Sequence, residues 1–183
     1  MEGVEFYLWE GDVRYRIDGK EKVFSQDDRE IIEFVLDTLK RFFPETLQAL
    51  NEECAASVAN RRYFDFRRVD LFVRCNFSEH DVLSFDIDGG LLHFEDVKCP
   101  RRGICKHEGV ICKPRFRMTV PKEEGKVAAL YSRGLTADEI AQVLRKSIKT
   151  VKNQLESARK RLNLDRTRDL IKIFSAYNIT LWE

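Results

Sequence analysis

The chain has 183 residues, of which 43% are hydrophobic and 34% are charged, and its net charge is +1. This balance is typical of a folded protein and excludes a disordered one. Every apolar run is shorter than the roughly 20 residues that cross a bilayer. The acidic start does not lead into an apolar stretch, which argues against a secretory signal, so we expect a cytoplasmic protein with no membrane partner.

Charge is divided unevenly along the chain. Residues 1–97 hold 12 basic and 22 acidic side chains, whereas residues 98–174 hold 20 basic and 8 acidic ones. Such asymmetry favours nucleic-acid contacts in the basic part. We therefore divide the chain into an acidic α+β module of unknown role (1–97), a basic cysteine-rich segment (98–118), a helical domain (119–176) and a tail (177–183).

The acidic module is predicted to pack a small sheet against helices. Alternating apolar residues predict a β-meander over 4–24, with Asp18-Gly19 as a hairpin turn. Ser25 is predicted to cap a first helix, and Pro44 to start a second.

The rest of this module is less regular. Residues 61–74 fit a helix or a strand, because their apolar positions suit the first and their β-branched and aromatic content suits the second. Residues 82–96 predict a hairpin around Asp88-Gly89-Gly90. The expected fold class is α+β, with this small sheet and its helices followed by an all-α domain of four helices.

The helical domain carries clear start and stop signals. Pro121 suits a first turn, and Gly134 suits the left-handed residue that ends a helix. Thr136 begins a capping box, Ser147 caps a third helix, and a last helix is predicted near Thr167.

The third helix has two unlike faces. One is an apolar stripe at helical spacing, formed by Ile148, Val151, Leu155, Ala158 and Leu162. The other is polar and carries Lys149, Lys152, Asn153, Glu156 and Lys160. A short helix, a tight turn and a longer basic helix are how a helix-turn-helix presents its recognition helix to the major groove of double-stranded DNA.

Two segments carry a family resemblance. Leu135-Thr-Ala-Asp-Glu-Ile-Ala141 followed by Ser147-Ile-Lys-Thr-Val-Lys-Asn153 resembles the LuxR/GerE family of DNA-binding domains, over about residues 120–176. The resemblance implies a bacterial, sequence-specific transcriptional regulator, with a homodimer through the last helix as an option. It implies that Lys152 and Asn153 face base edges, whereas Lys149 and Thr150 contact phosphate or fix the helix. The full set of predicted DNA-contacting residues is Thr136, Lys146, Lys149, Thr150, Lys152, Asn153, Gln154, Glu156, Arg159 and Lys160.

Two other functions compete with this one. Thr150-Val-Lys152 with Ser157-Ala-Arg-Lys-Arg-Leu162 is also similar to the promoter-recognition helix-turn-helix of sigma factors, which would make RNA polymerase a partner. The extra helix after Thr167 favours the LuxR-like interpretation. The second alternative is a nucleic-acid or protein interaction module of a phage or mobile element, without sequence preference. We expect no enzymatic activity, because the sequence shows no catalytic set, phosphate loop or nucleophile elbow.

Three of the cysteines lie close together in the basic segment. Cys99, Cys105 and Cys112 follow a C-x5-C-x6-C spacing, and Cys75 lies upstream. In a cytoplasmic protein, closely spaced thiols favour metal ligation over disulfides, and four thiolates suit zinc. An iron–sulfur cluster and metal-free thiols are the alternatives, and His93 and His107 are further candidate ligands. The segment also resembles one in uncharacterised regulators of gut Bacteroidetes and their phages.

Overall fold

The computed structural model describes residues 3–79, 85–116 and 120–177. The chain divides into two compact units, Met1–Arg117 and Met118–Glu183. The fold is α+β, as predicted. Residues 82–84 of the predicted hairpin, residues 117–119 at the predicted domain boundary and residues 178–183 of the predicted tail lie outside the described residues.

The first unit begins with a three-stranded antiparallel meander. Its strands are β1 (Glu5–Trp9), β2 (Asp12–Ile17) and β3 (Lys20–Val23). Asp18 and Gly19 both have positive φ angles, 50° and 71°, which is the conformation of the two-residue turn that matches strand twist. The predicted hairpin turn is therefore confirmed.

Three helices follow the meander. They are α1 (Arg29–Phe42), α2 (Pro44–Glu53) and α3 (Arg61–Asn76), with a single 3₁₀ turn at Ala55–Ser57. Pro44 starts α2 as predicted. The ambiguous segment 61–74 is helical throughout.

The prediction that Ser25 caps the first helix is wrong. The helix begins four residues later, and its N-cap residue is Asp28. The Ser25 hydroxyl instead accepts a hydrogen bond from the Asp27 amide (3.2 Å), and the Asp28 carboxylate accepts one from the Ser25 amide (2.8 Å). Since these bonds close a turn of their own, they delay the first helical residue to Arg29.

Aromatic rings fill the core of this unit. Phe6 from β1 stacks on Phe77 (6.2 Å between centroids), and Phe77 stacks on Phe94 (5.7 Å).

The predicted hairpin forms only two short strands, β4 (Ile87–Asp88) and β5 (Leu91–Leu92), joined by two glycines of positive φ.

Within residues 120–177, the second unit forms four helices, as predicted. They are α4 (Lys122–Ser132), α5 (Ala137–Leu144), α6 (Ile148–Arg161) and α7 (Asp169–Ala176). Helix α4 packs against α6 and α7, and α5 packs against α6. Across residues 3–79, 85–116 and 120–177, no helix is long and apolar enough to cross a membrane.

Asn76 ties the irregular segment after β5 to the end of α3. Its side chain is only 1% exposed. Its amide donates to the carbonyls of Phe72 and Ile111 (both 2.9 Å), and its oxygen accepts from the Lys113 amide (3.2 Å). A buried side chain that satisfies three backbone groups is an anchor, because each group left unpaired costs desolvation free energy.

We predict that Asn76→Ala lowers the free energy of unfolding by about 2 kcal/mol, since it leaves buried backbone groups without partners. Gln48→Ala is the matched control, because the Gln48 amide makes only an exposed hydrogen bond to Glu52. That substitution should cost less than about 0.5 kcal/mol. Chemical denaturation measures both, and equal losses would rule out the anchoring role of Asn76.

Candidate nucleic-acid interface and cysteine cavity

Two side chains fix where α5 and α6 begin. The Thr136 hydroxyl accepts from the Glu139 amide (3.3 Å), and the Glu139 carboxylate accepts from the Thr136 amide (2.7 Å), which completes the predicted capping box. The Ser147 hydroxyl accepts from the Thr150 amide (3.0 Å), so Ser147 caps α6 as predicted. Both caps satisfy amides that have no partner inside a helix.

The turn between these helices is closed by Arg145 and Lys146. Arg145 is left-handed (φ 52°), and the Lys146 amide donates to the Ala141 carbonyl (2.9 Å). The Lys146 ammonium donates to the Glu123 carboxylate (2.9 Å) and to the Gln154 side-chain oxygen (3.1 Å). Side chains of α4 and α6 thereby hold this turn in place.

One side of α6 faces the core of its unit. Val151, Leu155 and Ala158 are buried, as the apolar stripe predicts. Ile148, which belongs to the same apolar stripe, is 45% exposed. As the first residue of α6, it precedes the turn at which burial begins.

Glu124 holds the far half of α6 in place. Its carboxylate accepts from the Ser157 hydroxyl (3.0 Å) and from the Arg161 guanidinium (3.1 Å). The side chain of Glu124 is only 14% exposed, so solvent screens this ion pair less than it screens a surface pair. Glu124 lies where the LuxR/GerE family has a like residue, but the sequence did not indicate the contacts that Glu123 and Glu124 make, because an acidic first turn by itself indicates no more than a favourable helix dipole.

The outer side of α6 presents three unengaged side chains in one row. Lys149, Lys152 and Asn153 are exposed. Within the part of the chain that the structure describes, none of the three makes a hydrogen bond or an ion pair with another side chain. Their spacing of three and four residues places them on one helical face. These are the predicted DNA-contacting residues that are free to exchange water for a ligand.

The other predicted contact residues are engaged inside the unit. Thr136, Thr150, Lys146 and Gln154 belong to the caps and the turn described above. Glu156 accepts two hydrogen bonds from Arg159 (2.8 and 2.7 Å) and forms an ion pair with Lys160 (3.6 Å).

The Glu156–Arg159 pair also closes the end of α6. Hydrogen bonds, mainly those donated by Arg159, lower the pKa of the Glu156 carboxyl to about 2. The Arg159 guanidinium also donates to the Leu164 carbonyl (2.6 Å). Glu156 is therefore an internal ligand of Arg159, which accounts for an acidic residue on this basic face.

In the first unit, the four predicted metal ligands line one small cavity. Cys75 lies in the last turn of α3, and Cys99, Cys105 and Cys112 lie in the segment after β5. The cavity measures about 40 Å³, and Arg102, His107, Glu108 and Ile111 complete its lining. We call this site the cysteine cavity. A volume this small excludes the organic ligands that pockets of about 300–1,000 Å³ hold.

The thiols of the cysteine cavity interact electrostatically. Burial above all, together with the charges of Cys112, Cys99 and Cys105, raises the pKa of the Cys75 thiol to about 11. All five cysteines of the chain are free thiols. Among the described residues, no three carboxylate, imidazole or thiol groups are already arranged as a metal site.

The two histidines named as further candidate ligands differ. The Nε2 of His107 lies 2.9 Å from the Glu53 carboxylate, so this ring is engaged with α2 although it also lines the cysteine cavity. His93 is not part of the described lining of that cavity.

Comparison with protein-family models, curated proteins and solved structures found no match for this chain.

We predict that Thr136→Ala lowers the free energy of unfolding of the second unit by about 1 kcal/mol, because it removes the oxygen that caps α5. Thr136→Ser keeps that oxygen and should stay within about 0.5 kcal/mol of the parent protein. Chemical denaturation followed by circular dichroism measures both. Equal losses in the two variants would show that the hydroxyl does not stabilise the helix.

Proposed function

We propose that the chain is a sequence-specific double-stranded DNA-binding transcriptional regulator, with α6 as its recognition helix. The observation that carries the proposal is the exposed row of Lys149, Lys152 and Asn153 on a helix whose opposite side is buried and whose ends are held by caps and ion pairs.

The chemistry of this row suits the major groove. Asn153 can pair through two hydrogen bonds with adenine, and Lys152 can donate to the acceptors of guanine. Lys149 lies in the first turn of α6, where it can neutralise a phosphate beside the amides of the helix N-terminus. We therefore assign base contacts to Lys152 and Asn153 and a backbone contact to Lys149.

Net charge supports the same assignment. Residues 120–177 hold 13 basic and 7 acidic side chains. Glu123, Glu124 and Glu156 are three of those acidic residues, and all three are paired with basic groups of the same unit. The electrostatic potential that this unit presents to a phosphate backbone therefore comes mainly from lysines and arginines that have no acidic partner within residues 120–177.

We expect the double variant Lys152→Ala/Asn153→Ala to lose its preference for a selected site over random DNA by at least about tenfold, since each base contact contributes about 1–3 kcal/mol of discrimination. A binding site is first selected from a random duplex library with the parent protein. Competition binding then compares that site with random DNA for parent and variant.

Lys20→Ala is the matched control, because it removes one exposed lysine from β3 in the other unit and should leave discrimination unchanged. Discrimination that survives the double change would overturn the assignment of the recognition face. If the parent protein prefers no sequence at all, the module without sequence preference would replace this proposal. Co-purification with RNA polymerase would favour the sigma-like alternative.

We expect Lys149→Ala to weaken binding to the selected site and to random DNA by the same factor. A phosphate contact carries no sequence information, and its loss should reduce the slope of log affinity against log salt concentration by about 0.9. Titrations at several salt concentrations measure the slope. A change in sequence preference instead would make Lys149 a base-contacting residue.

A further inference from the structure

We propose that the cysteine cavity is a structural zinc site in which Cys75, Cys99, Cys105 and Cys112 bind one Zn²⁺ as thiolates. On binding, each thiol gives up its proton to solvent and each sulfur donates an electron pair to the ion. The metal would join the end of α3 to the segment after β5. This site is independent of the proposed DNA-binding function.

The first argument is the donor set. Four sulfurs from two separate parts of the chain line one cavity of about 40 Å³. Four thiolates are a common closed ligand set of structural zinc. A single ion suits so small a space, whereas an iron–sulfur cluster adds several iron and sulfide atoms at its centre. The cavity therefore favours zinc over the cluster.

The second argument is the weak apolar packing of the segment. Between Cys99 and Cys112 the buried large apolar side chain is Ile111, and Ile104 is 82% exposed. The segment holds no helix, and its residues connect through turns. A stretch with so little buried apolar surface needs another source of free energy to keep one conformation, and a metal supplies it.

The third argument is that the segment is already positioned beside α2 and α3. The Thr46 hydroxyl donates to the Val110 carbonyl (2.7 Å), and the Lys106 ammonium lies 2.8 Å from the Glu53 carboxylate. Together with the Asn76 anchor, these contacts hold three cysteines near Cys75. Contacts that already hold these parts of the chain together lower the entropy cost of bringing the four thiols to one ion.

The fourth argument is charge. Four thiolates and one Zn²⁺ carry a net charge of −2, which is costly to bury without cations. Arg102 lines the cavity, and the positive charge of Arg101 acts on Cys75. Because Glu108 also lines the cavity and Arg102 is also paired with Asp96, these guanidinium groups offset part of the charge that the filled site would carry.

The test is the metal content of the full-length, untagged protein, purified without oxygen and without added metal. Native mass spectrometry and elemental analysis should find about one zinc per chain. Cys75→Ser and Cys105→Ser should each weaken zinc binding by more than about tenfold in competition with a chelator, since even outer-shell changes have that effect. Cys54→Ser is the matched control, because Cys54 is buried at the end of α2, apart from the described lining of the cavity.

Wild-type protein decides the question even if the serine variants fail to fold. Removing the metal should abolish hydrogen-exchange protection in residues 97–113 and leave α4, α5 and α6 unchanged, and cobalt should restore it with the absorption of a tetrahedral thiolate site. Iron with acid-labile sulfide would overturn the zinc assignment. Protein without metal that binds neither zinc nor cobalt would overturn the site, as would equal zinc loss in the Cys54→Ser control.

Discussion

Two neighbouring glutamates at the start of α4 determine how α6 is presented. Glu123 holds the turn through Lys146, and Glu124 holds the far half of the helix through Ser157 and Arg161. With the apolar stripe buried on the inner side, α6 has little freedom to rotate about its own axis. The outer row is therefore fixed in space by contacts that involve none of its own residues.

This separation of holding residues from free residues favours tight recognition. Association costs free energy when existing hydrogen bonds must be broken, and the row avoids that cost, although its two lysines still lose side-chain entropy on binding. Lys149, Lys152 and Asn153 have no internal partners to give up among the described residues. Glu156, whose bare carboxylate would repel phosphate, is already paired with Arg159. A ligand bound to this row would therefore leave the internal hydrogen bonds of α6 intact.

Local signals in the sequence predicted the parts of the fold that depend on local chemistry. The Asp18-Gly19 turn, Pro44 and the Thr136 and Ser147 caps each act within four residues. Helix α3 stayed ambiguous because its β-branched and aromatic residues also suit a strand. Its buried side carries charge as well, since Asp65 and Arg68 are both buried and form an ion pair that interrupts the apolar face. The roles of Glu123 and Glu124 depend on partners 23 to 37 residues away, a separation that no local pattern reveals.

The uneven distribution of charge along the chain also affects the cysteine cavity. Residues 98–117 hold seven basic side chains and one acidic one, and all of them lie in the first unit with the cavity. Arg101 and Arg102 lie near enough to influence the cavity, and a filled tetrathiolate site would neutralise part of their charge. Under the two proposals, the basic excess would divide into a share that offsets metal-bound thiolates and a share in residues 120–177 that contacts DNA.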